Sequence, residues 1–117
     1  MSFKSNPLRT DAANLAEEIY KLTENFPDGK DDGVTSQLRR SARSIPENIA
    51  AGEAISNTFD RKNFYYLSRG AVTETLNHLT ESLRAGDISE DSAEEMEEKL
   101  KLLYNDINKI ILSLKKC

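Results

Sequence analysis

The chain has 117 residues, enough for one domain with a real core and no need of disulfide or metal staples. Hydrophobic residues make up 38% and charged residues 31%, a globular composition and not a disordered one. The net charge of −4 argues against a general affinity for nucleic acid or anionic membranes.

That mean hides an asymmetry. Residues 1–33 carry net −3, residues 34–85 net +2, and residues 86–117 net −3. The basic charge is central, with acidic segments on either side. Cys117 is the only cysteine and has no partner for an intrachain disulfide. The N-terminal residues lack the apolar core of a signal peptide, and no apolar run approaches the roughly 20 residues of a membrane span. A reducing, cytoplasmic setting is expected.

The first periodic segment runs from about 6 to 25. Leu8, Ala12, Leu15, Ile19, Leu22 and Phe26 step by four and three, the stripe of an amphipathic helix. Asn6 before Pro7 suits a helix start, and FPDGKDDG ends the segment. The second helix is expected over 34–55. Its stripe is Val34, Leu38, Ala42, Ile45 and Ile49. At 100° per residue, Arg39, Arg40, Arg43 and Glu47 fall opposite, and Gln37, Ser41, Ser44, Asn48 and Gly52 form a small polar flank. Pro46 lacks an amide donor and crowds the carbonyl of Ala42. The apolar phase continues across it, which predicts a kinked but continuous helix, with serine hydroxyls or water meeting the carbonyls near Ala42.

The third helix is expected over 58–85. Phe64, Ser68, Ala71, Val72, Thr75, Leu76, Leu79 and Leu83 share one side, and Lys62, Tyr66, Arg69, Thr73 and Arg84 the other. Tyr65 fits either the core or an interface. Gly70 in mid-helix costs about 1 kcal/mol against alanine, which predicts a role in close packing. Asp87 or Ser89 opens the fourth helix, expected over 89–115. Its stripe of Ala93, Met96, Leu100, Leu103, Ile107, Ile110 and Leu114 alternates steps of three and four, and Lys115-Lys116 suit its C-terminal dipole. Four helices and no strand signal predict an all-α fold, an antiparallel up-down four-helix bundle.

Chemistry is sparse. A di-iron bundle needs two Glu-x-x-His units; here Glu74 and His78 stand four apart and the chain has one histidine. No metal, no cofactor and no catalytic set is expected. Glu74 lies beside the apolar side of the third helix, where a buried carboxylate needs partners. Gln37, Ser44 and Asn48, with His78, are candidates for a polar network or an oligomer interface. Arg39, Arg40, Arg43, Lys62, Tyr66 and Arg69 are candidates for a basic face with one aromatic, suited to phosphate contact and base stacking. A solvated outer face is the plainer reading of the same residues.

The segments FPDGKDDGVTSQLRRSARSIPENIAAGEA and FYYLSRGAVTETLNHL resemble the 23S rRNA intervening-sequence proteins, a family of four-helix bundle proteins. Phe26, Pro27, Gln37, Arg40, Ser44, Ile45, Pro46, Asn48, Ile49, Ala50, Gly52, Gly70 and Glu74 carry the resemblance. Ala51 stands where the family usually has glutamate, and Ser68 and Ala71 replace its commoner alanine and serine. The resemblance implies a small bacterial, cytoplasmic, non-enzymatic bundle. A related branch, the accessory variability determinant protein of diversity-generating retroelements, forms a pentamer and binds a reverse transcriptase and nucleic acid. From it come the expectations of a homo-oligomer, pentameric by preference, and more weakly of an RNA or ribonucleoprotein partner.

Overall fold

The computed structural model describes residues 7–26 and 33–114. Four helices follow one another: α1 (Pro7–Thr23), α2 (Gly33–Ala54), α3 (Thr58–Arg84) and α4 (Glu90–Leu114). Among the described residues there is no strand. Asn6, residues 27–32, Lys115-Lys116 and Cys117 lie outside the described residues.

Local chemistry explains the ends that can be seen. Asn57 caps α3, its Oδ1 accepting from the Asp60 amide at 3.0 Å. Ser89 rather than Asp87 opens α4: the Ser92 amide donates to Ser89 Oγ at 3.1 Å. The end of α3 is a Schellman turn. Gly86 has φ +82°, the Asp87 amide reaches the Ser82 carbonyl, and the Gly86 amide reaches that of Leu83. A glycine is needed there because the left-handed region penalises a Cβ.

The helices form a ring in which each packs on its chain neighbours and α1 closes against α4. Cross-contacts show that neighbours run antiparallel. Arg9, early in α1, pairs with Glu53, late in α2. Ser68 meets Ile45 while Thr75 meets Ser41. Arg69 meets Asn108, and Lys99 meets Glu18. The result is a rod of 47 × 22 × 21 Å.

Ile19, Leu38, Ile45, Ile49, Val72, Leu100 and Ile107 lie at its centre, each at most 1% exposed. The predicted stripes hold along most of their length. Val34 and Leu22 are only half-buried. In α4 the last buried position is Ile111, not Ile110. A strict seven-residue repeat drifts about 20° per heptad on a 3.6-residue helix, so by the third heptad the next residue has turned inward. In α3 the inward aromatic is Tyr65, 5% exposed, and Phe64 is half-buried.

Helix α2 runs unbroken through Pro46. A serine hydroxyl does meet a carbonyl of this stretch: Ser68 Oγ of α3 donates to the Ile45 carbonyl at 2.9 Å. Gly70 serves no close packing within the described chain. It is exposed, and a Cβ built on it would meet nothing within 4 Å. The close-packing glycine is Gly52, whose Cβ would lie 3.1 Å from Tyr65 Cε2 and 3.4 Å from the Arg61 carbonyl.

Candidate functional site

The contact between α2 and α3 is the most extensive in the bundle, and small and polar residues make up part of it. Thr75 Oγ1 lies 2.9 Å from Ser41 Oγ and 2.7 Å from the Ala71 carbonyl, so its one proton can go to either. Ser41 donates in turn to the Leu38 carbonyl. With Ser68 these hydroxyls form a buried polar seam, and most are satisfied as burial requires. Further along α3, Ser82 Oγ is buried without a partner among the described residues.

Above this seam lies a shallow cleft of about 270 Å³ lined by Gln37, Arg40, Ser41, Ser44, Glu74 and His78. The structure thus gathers four of the five residues assigned to a polar network. It does not join them. Glu74 is exposed and makes no hydrogen bond or ion pair among the described residues. Asn48 donates within its own helix, to the carbonyl and hydroxyl of Ser44, both at 2.9 Å. His78 Nδ1 lies 3.2 Å from Glu81 Oε1, one turn along α3. The buried network is the seam beneath, where Ser68 and Thr75 fall on the expected inward side of α3 and Ser41, expected on the polar flank of α2, joins them.

The six residues of the expected basic face divide among three surfaces. Arg39 turns to α1, its guanidinium 4.0 Å over the Tyr20 ring and its Nε donating to Thr23 Oγ1 at 2.6 Å. Arg43 lines the same α1–α2 groove with Ala16, Glu17 and Tyr20, 3.7 Å from Glu47. Arg40 sits in the α2–α3 cleft. Tyr66 and Arg69 turn the opposite way, to α4. Arg69 Nη1 donates to Asn108 Oδ1 at 2.6 Å, and its guanidinium lies 5.2 Å from the Tyr66 ring and 5.9 Å from the Tyr104 ring. Lys62, four residues before Tyr66, shares that side of α3. Reading one helix at a time missed this because Tyr104 and Asn108 belong to another helix. Their signal was a spacing of four beside the α4 stripe.

At one end of the rod, Arg61 Nε donates to the carbonyls of Gly52 and Ile55, holding the last turn of α2. Burial, with Glu53 adding to it, pushes the Tyr65 hydroxyl above its ordinary value, against smaller effects of Arg61 and Arg9. Among the described residues no group of three or more His, Cys, Asp or Glu side chains is placed to hold a metal ion. No helix there is long and apolar enough to cross a membrane.

The family model described as 23S rRNA-intervening sequence protein matches residues 5–109. The chain belongs to this family. The fold agrees. A crystal structure titled as a protein of unknown function from the S23 ribosomal protein family, from Bacteroides thetaiotaomicron VPI-5482, superposes with a TM-score of 0.80. It is 22% identical and covers 89% of this chain and 97% of its own. No curated protein matches the sequence.

Proposed function

We propose that this intervening-sequence protein is a non-enzymatic, cytoplasmic structural or adaptor protein that assembles with copies of itself through the outer face of α2 and α3. The carrying observation is Gly70. It stands exposed in the middle of a 27-residue helix. Its cost, about 1 kcal/mol against alanine, is offset by no contact within the described chain. A glycine there lets a second helix approach the backbone closely. Leu67, 57% exposed, and Phe59, 68% exposed, stand on the same helix and supply apolar area for such a contact. The α2–α3 cleft with its lone Glu74 supplies polar groups beside it. A pentamer is the assembly that the family resemblance favours.

Light scattering after gel filtration tests this reading. The expected result is a mass several times 13.2 kDa. Leu67→Glu and Gly70→Leu should reduce it to one chain with the helical circular dichroism intact. A monomer at micromolar concentration overturns the proposal. An RNA-contacting face on helices two and three has less geometric support, since Arg39, Arg40 and Arg43 do not share a surface with Lys62, Tyr66 and Arg69.

A further inference from the structure

The α3–α4 surface joins residues that are far apart in sequence. On α3 it carries Lys62, Tyr66 and Arg69; on α4 it carries Lys101, Tyr104 and Asn108. The register is set by Arg69 on Asn108. Positions 62, 66 and 69 share a side of α3, and 101, 104 and 108 share a side of α4. The geometry points to this surface as a contact for a single-stranded polynucleotide, with bases stacking on the aromatic and guanidinium planes and phosphates on the cations.

Three features carry that assignment. Arg69 is held in place by Asn108 at 2.6 Å and flanked by two tyrosine rings at 5.2 and 5.9 Å. Asn108 takes one of the five donors of a guanidinium, which leaves others for phosphate oxygens. Tyr66 and Tyr104 are half-buried, so each ring is anchored on the core while part of it meets solvent. Such rings bind bases without a large cost in side-chain entropy. Finally, among the described residues Lys62 forms no ion pair, and the exposed Lys101 has only its half-exposed neighbour Glu97, at 3.2 Å. An exposed pair of that kind is weak and yields readily to a phosphate.

A single strand fits better than a duplex. The patch is short, on the order of 20 Å from Lys62 to the level of Lys101 at 1.5 Å per helical residue. Its aromatic groups need unstacked bases, which a duplex does not offer. It is also local: the far half of α4 carries Glu90, Asp91, Glu94, Glu95, Glu97 and Glu98, so the face turns acidic beyond Lys101. That local character reconciles a phosphate contact with a chain of net charge −4.

Fluorescence anisotropy with a labelled oligouridine of about 12 nucleotides tests the proposal. The full chain should bind it in preference to an RNA duplex of the same length. With three phosphates neutralised, affinity should fall roughly 20-fold between about 50 and 200 mM salt. Arg69→Lys keeps the charge and loses the plane; it should weaken binding about tenfold with the salt slope unchanged. Lys62→Gln, a surface change, should lower the slope by about 0.7. The assembly mass of both variants should equal that of the parent, which separates this surface from the α2–α3 face. No binding at about 50 mM salt overturns the proposal. So does binding that survives both substitutions, or that is lost instead with Arg40→Gln and Arg43→Gln. Displacement of oligouridine by oligoglutamate at equal concentration would replace the polynucleotide with an acidic protein partner.

Discussion

The two opposite edges of the ring hold their helices together by different means. Between α2 and α3, Gly52, Ala71 and a run of buried hydroxyls let the backbones come close, and side chains of one helix bond atoms of the other. Between α1 and α4 the contact is the least extensive of the four. A groove of about 330 Å³ runs along it, lined by Asp11, Glu18, Lys99, Asp106 and Leu102, which is 64% exposed. The link across it is Lys99 Nζ on Glu18 Oε1 at 2.7 Å, a half-exposed ion pair. Buried hydrogen bonds carry a penalty if broken, because the orphaned group is left without water. Exposed ion pairs carry little, because water replaces the lost partner. The α2–α3 edge should therefore be stiff and intolerant, and the α1–α4 edge compliant.

Substitutions can break that contrast. Gly52→Leu forces a side chain against Tyr65 and the Arg61 backbone, and should cost about 3 kcal/mol in urea unfolding. Thr75→Val removes the hydroxyl that bridges to Ser41 and should cost about 1.5 kcal/mol. A loss near zero for both would show that the seam is no tighter than its opposite edge. Gly70→Ala should act in the other direction. With no neighbour to strain, it should stabilise the single chain by about 1 kcal/mol while weakening self-association. Lys99→Met should change stability by no more than about 0.5 kcal/mol.

Alkaline pH sharpens the same comparison. Lys99 is held above the ordinary lysine value, first by its hydrogen bond to Glu18. Tyr65 is held above the ordinary tyrosine value of 10.0, first by burial. In both cases the unfolded chain releases its proton at lower pH than the folded one. The stabilisation is thus whole below the ordinary values and is lost as pH rises toward the raised ones. Chemical denaturation at stepped pH should show stability declining above 10.0, with a flatter decline in Tyr65→Phe.

Much of this molecule was legible in its residues. Leu8, Ala12, Leu15 and Ile19 mark one buried stripe, and Leu38, Ala42, Ile45 and Ile49 another, because burial repeats with the helical period. The α3 stripe was harder to read. Ser68 and Thr75 fall on the expected side, but Ser82 looks like surface until a partner helix shelters it, and the inward aromatic is Tyr65 rather than Phe64. The candidate surfaces were the least legible. Residues 37, 44, 74 and 78 do converge on one cleft, but the six basic-face candidates point toward α1, the cleft and α4 in turn. A helical wheel orders residues around one axis and contains no information about which neighbour stands on which side.

Apolar period, turn chemistry and the proline that keeps its phase determined four helices and their approximate limits, since these depend on contacts within about one turn of chain. Tertiary packing alone decided which glycine is crowded and which is open. It set Ile111 rather than Ile110 in the core, and it brought Tyr104 and Asn108 onto Arg69. Those outcomes rest on the relative position of separate helices, which is settled only when all four pack at once.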